Sequence, residues 1–72
     1  HMEDYKKAAK SFEAAAKSGN ELIAPMSLKK AGIVYLELGD KPAAKKAFET
    51  IKADYANSTE AQGIEKYIAI AE

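Results

Sequence analysis

The chain has 72 residues, no cysteine and no arginine, and its eleven lysines balance eleven acids for a formal net charge of zero. That length allows one small domain, which buries only about 60% of the surface its unfolded chain exposes, and no disulfide or His/Cys metal cluster is there to staple it. The even charge and missing arginine argue against a nucleic-acid surface, and the longest apolar run, Ala31 to Leu36, falls far short of a membrane span.

His1 and Met2 are read as an expression-vector remnant and set aside. Residues 4 to 18 then read as a first helix. Tyr5, Ala8, Phe12, Ala15 and Ala16 recur at helical steps, while Lys6, Lys7, Lys10 and Lys17 fall mostly elsewhere on the wheel. Asp4 suits an N-cap or a first-turn acid, and Glu13 with Lys17 makes a favourable i,i+4 pair. Ser18-Gly19-Asn20 stops the helix, with Gly19 fitted to a left-handed C-terminal position.

Glu21 to Ala24 reads as a link. A second helix is predicted from about Pro25, a residue tolerated in a first turn, to Leu38. Leu28, Ala31, Gly32, Tyr35, Leu36 and Leu38 cover one half of its wheel, and Met26 and Ile33 lie on the other beside Lys29, Lys30 and Glu37. A helix apolar on more than one side is either sandwiched between neighbours or presents one side to a ligand. Gly39 closes it, and Asp40 caps a third helix with Pro42 in its first turn. Ala43, Ala44, Ala47, Phe48, Ile51 and Tyr55 form the buried stripe of that helix. After Asn57-Ser58, Ser58 or Thr59 caps a fourth helix whose inward residues are Ile64, Tyr67, Ile68 and Ala71; Gly63 inside it costs about 1 kcal/mol relative to alanine.

A shift of thirty-six residues lays the first helix on the third. Asp4, Ala8, Lys10, Phe12 and Glu13 fall on Asp40, Ala44, Lys46, Phe48 and Glu49, and such self-similarity at a fixed period marks stacked repeat units. Leu28-x2-Ala31-Gly32-x2-Tyr35 followed by Ala44-x3-Phe48, with Gly39-Asp40 between, resembles the tetratricopeptide repeat family, a helix hairpin of about 34 residues with the pattern W-x2-L-G-x2-Y…A-x3-F…P. Leu28 stands in place of the family's aromatic, Ala31 in place of its leucine, and Ala56 in place of its proline. Residues 55 to 61 also resemble the junction between repeats in bacterial envelope proteins of this family.

The resemblance implies an all-α chain of four helices, antiparallel hairpins stacked as a short right-handed superhelix, from the C-terminal part of a bacterial-type array. Residues 3–20 would be the second helix of a preceding repeat, 21–58 one full hairpin, and 59–72 a C-terminal capping helix. It implies no enzyme, no cofactor and no metal. The residues agree: the single histidine is His1, no base falls near Ser11, Ser18, Ser27 or Ser58, and Glu37 and Asp40 read as a surface acid and a cap. Cytoplasm and periplasm are both compatible with a soluble bacterial protein.

The expected function is a non-catalytic module that binds a protein or peptide. In the family the first helix of each hairpin lines a concave groove, so the resemblance places Met26, Lys29, Ile33 and Glu37 there. Their steps of i, i+3, i+7 and i+11 put them on one stripe independently. The alternative is that Met26 and Ile33 pack against a neighbouring helix of this chain or another copy. The family's clamp for C-terminal carboxylates has asparagine where Ile33 stands and is not expected. A second function remains open: capping and self-association of a longer array, as a homodimer through the first-helix face of Tyr5, Phe12 and Ala16.

Overall fold

The computed structural model describes residues 2–72, and His1, half of the supposed vector remnant, lies outside them. Four α-helices occur among the described residues: α1, Met2–Ala16; α2, Ile23–Leu38; α3, Lys41–Asp54; and α4, Ile64–Ile70, preceded by a single 3-10 turn at Thr59–Ala61. The radius of gyration is 11.1 Å, against about 11 Å expected of a compact chain of this length. The short dimension, 14 Å between Cα extremes, matches two layers of helices with axes about 8–10 Å apart. No helix among the described residues is long and apolar enough to cross a membrane.

α2 is the shared element, packing against α1 on one side and α3 on another, while α4 packs against α3. The α2–α3 turn is built from backbone geometry. Gly39 takes φ +79°, its N–H donates to Leu36 O (3.0 Å), and the Asp40 N–H donates to Tyr35 O (2.9 Å). That pair of bonds satisfies two helix-end carbonyls and reverses the chain. Asp40 then caps α3, its carboxylate accepting from the Ala43 N–H at 3.2 Å.

Close packing of α3 on α2 depends on a missing side chain. A Cβ built on Gly32 would lie 2.5 Å from Phe48 Cε1 and 2.6 Å from Cζ, so the ring occupies the space that any side chain would need. Phe48, Ala44, Ile51, Ile64 and Ala71 form the core, with Leu28, Tyr35, Leu36, Tyr67 and Ile68 packed around it. Ala24 and Ala31, both fully buried, share the face one step round, on the side from which the Tyr35 hydroxyl donates to the Glu13 carboxylate of α1.

Several expectations need correction. The α1 stripe is centred on Ala9, which is fully buried, whereas Ala8 is only half-buried and Tyr5, in the first turn, remains 47% exposed. Alanine at the centre lets α1 approach α2 closely, and the tyrosine near the helix end is left at the edge. Of the two roles open to Asp4, it takes that of an acid in the first turn of α1, as one reading of the sequence expected. Glu13 accepts from Tyr35 where a pair with Lys17 was expected.

The fourth helix is shorter than predicted. Ser58 does cap, its hydroxyl accepting from the Ala61 N–H at 3.2 Å, but only over the 3-10 turn. Gln62 is extended, Gly63 adopts φ +74°, and α4 begins at Ile64. Gly63 is therefore a hinge that redirects the chain, a conformation glycine adopts without a Cβ penalty, and not a weak point within one helix. Beyond it Ile64 and Ala71 are buried and Tyr67 and Ile68 half-buried, as the helical period predicts. The Lys52–Glu65 (2.9 Å) and Lys45–Glu72 (3.7 Å) ion pairs link α3 to the C-terminal segment.

Candidate functional site: the outer stripe of α2

α2 starts earlier than Pro25. Asn20 organises the start: its side-chain Oδ1 accepts from the Leu22 and Ile23 N–H groups at 2.8 and 3.2 Å, and its carbonyl accepts from the Ala24 N–H at 2.7 Å. This is N-capping with the first i→i+4 bond already closed, so the helical turn extends back over residues 21 and 22. Pro25 is fully buried within the first turn of α2.

With 100° per residue, the buried members of α2 (Ala24, Pro25, Ser27, Ala31, Gly32) and the half-buried Leu28 and Tyr35 occupy one broad arc. Met26, Ile33 and Glu37 lie within about 40° of one another on the opposite side. Met26 is 47% and Ile33 37% exposed, and Glu37 is also exposed. The structure therefore places these residues facing away from the core, on one line along the helix.

Lys29 belongs to the edge of this stripe. It is half-buried, and its Nζ sits 5.1 Å from the centre of the Tyr67 ring of α4. Lys30, on the other flank, holds its Nζ 5.9 Å from the Phe12 ring of α1. Each lysine thus holds its ammonium near the face of an aromatic ring on a neighbouring helix. The stripe is an apolar line flanked by two cations, with aromatic rings outside them.

Two residues belong to this surface that helix-2 boundaries drawn at Pro25 leave out. Leu22 is 81% and Ile23 47% exposed, and both precede Met26 on or beside the same line. The signal was present in Asn20, a strong N-cap residue placed just ahead of an apolar pair. Of the residues in the Leu28-to-Phe48 spacing, Leu28, Tyr35, Ala44 and Phe48 share the core and Gly32 meets Phe48, while Ala31 is buried outside that cluster.

Neither of two surface clefts reaches Met26, Ile33 or Glu37, and one touches the stripe only at its Leu22 end. One of about 590 Å³ is bounded by Lys6, Lys10, Tyr35 and the Gly39–Pro42 turn, and one of about 330 Å³ lies between Leu22 and the 54–60 segment. An exposed line of side chains suits a helix or an extended segment laid along it, whereas small molecules need a concavity that surrounds them. Among the described residues no three of His, Cys, Asp and Glu group closely enough to hold a metal ion. Compared with known protein families, with curated proteins and with solved structures, the chain finds no match.

Proposed function

We propose that the chain is a non-catalytic protein-docking module of tetratricopeptide type, its helices arranged as the short right-handed superhelix that the family resemblance implies. The observation that carries this reading is the line Leu22–Met26–Ile33, apolar and solvent-facing, directly opposite the buried arc of the best-packed helix. Exposed apolar side chains aligned on a rigid element mark an interaction surface more often than chance does. Packing between Gly32 and Phe48 supports the family assignment, because the family's two facing positions are the ones that interlock.

The mechanism is preorganisation. α2 is held on two sides by α1 and α3, so its outer side chains are already positioned when a partner segment arrives, and the ordering cost falls mainly on the partner. Met26 and Ile33 would seat apolar side chains, and Lys29, Lys30 and Glu37 would select for charge.

The second reading, a capping segment that dimerises through the α1 face, has less to rest on. Ala9 is fully buried, Phe12 and Ala16 are half-buried, and Lys30 lies near the Phe12 ring, so among the side chains whose burial is described Tyr5 is the one large apolar residue of that face left well exposed. Capture on immobilised protein tests the first reading. A partner retained by the parent chain and lost with both Ile33→Asp and Met26→Asp, at unchanged helicity, supports docking on α2; retention by both variants contradicts it.

A further inference from the structure

We infer that the partner of the α2 stripe is a second copy of this chain, joined by a two-fold axis beside Ile33 with the two α2 helices antiparallel. The inference rests on the reading of this stripe as a docking face and adds the identity of its occupant. It comes from the order of charges along α2, which is self-complementary in one register and self-repelling in the other.

Lys30 and Glu37 are seven residues apart and share one flank of the stripe; both are exposed. A two-fold axis normal to an antiparallel helix pair keeps each flank on its own side and sets residue 33+n opposite 33−n of the other copy. With the axis at Ile33, Glu37 lies within about one residue rise, 1.5 Å along the helix, of the partner's Lys30. By symmetry Lys30 meets the partner's Glu37. Two ion pairs then bracket an Ile33–Ile33 contact, and Met26 reaches the partner's Gly39-Asp40 turn, beyond the end of its α2.

The competing register centres on the apolar line itself, pairing Met26 with the partner's Ile33. It also sets Lys30 against the partner's Lys30 and Lys29 against the partner's Lys29, with no acid between them. Like charges directly opposed across an interface act against that pairing and fix the register. Lys29, held over Tyr67 on the far flank, stays clear of the ion pairs in the Ile33-centred arrangement, and the exposed Lys30 ammonium turns from the Phe12 ring toward the partner's Glu37. A contact between single helices is smaller than a stable interface of about 1,200–2,000 Å², so the association is weak and reversible, with a dissociation constant on the order of 0.1–1 mM.

Sedimentation equilibrium of the chain between about 10 µM and about 2 mM, a range set to bracket that constant, tests this. The parent should show a reversible monomer–dimer equilibrium. Lys30→Glu and Glu37→Lys should each weaken it by about tenfold or more, because every substitution counts twice by symmetry. The double variant Lys30→Glu/Glu37→Lys should restore it, and Ile33→Asp should leave monomer. A parent that stays monomeric throughout overturns the inference while the capture experiment still decides the docking reading. A dimer that survives Ile33→Asp, or charge variants that the double exchange fails to rescue, overturns it as well. All four variants alter exposed positions, and circular dichroism verifies that each is folded.

Discussion

The two sides of α2 differ less in hydrophobicity than in what meets them. On the inner side, Gly32 and Ala31 present almost nothing, and Phe48 of α3 fills the space above the glycine. On the outer side, Leu22, Met26 and Ile33 present large apolar groups that meet solvent. Burial in this helix thus follows complementary shape between neighbours: Gly32 and Ala31 lie inside beside the half-buried Leu28 and Tyr35, and Leu22, Met26 and Ile33 lie outside. Stability should accordingly reside on the inner side and recognition on the outer.

Substitutions can break that division at its strongest point first. Phe48→Ala removes the largest fully buried side chain and should cost about 3–5 kcal/mol. A domain of this size has only about 4–11 kcal/mol in total, so thermal unfolding should shift far down or lose cooperativity. Tyr35→Phe removes the hydroxyl that donates to Glu13 and links α1 to α2. The expected loss is about 0.5–1.5 kcal/mol by urea denaturation, and amide exchange should accelerate more in α1 than in α3.

The smallest effect lies at the C-terminal edge. The Glu65 carboxyl is held below the ordinary glutamate range first by the hydrogen bond from Lys52 and then by the charge of that ammonium. A carboxylate with a lowered folded-state pKa stabilises the fold above its unfolded-state value and loses that contribution as pH falls through the folded value. Melting temperature measured from about pH 6 down to about pH 3 should therefore fall slightly less steeply for Glu65→Gln than for the parent. The difference should be small because the pair is exposed and screened by salt.

Much of the fold could be read from residues whose local chemistry and tertiary role coincide. Gly39-Asp40 combines a left-handed helix end with an N-cap, and both roles appear in the turn. The spacing of Gly32, Ala44 and Phe48 anticipated the close contact between Gly32 of α2 and Phe48 of α3. Readings slipped where a local signal had two outcomes. Ser58 can begin a long helix or a single turn, and Gly63 at φ +74° decided for the turn. Asn20 can end one helix or begin the next, and its hydrogen bonds to Leu22 and Ile23 place it at a beginning. The site was half legible for that reason: spacing found Met26 and Ile33, while Leu22 and Ile23 belonged to a turn that the Pro25 boundary excluded. The ring contacts of Lys29 and Lys30 involve residues from α4 and α1, far away in sequence, so periodicity within α2 could not show them.

Consecutive residues give the most direct test of the division across α2. Gly32→Val should lower unfolding free energy by about 1–3 kcal/mol, because the buried Phe48 ring leaves no room for a branched side chain. Ile33→Asp, one position along and facing solvent, should stay within about 0.5 kcal/mol of the parent. Urea denaturation of the two variants beside the parent measures both at once. The account predicts that the valine variant is the less stable by a clear margin; an aspartate at 33 that costs as much as, or more than, a valine at 32 would contradict it.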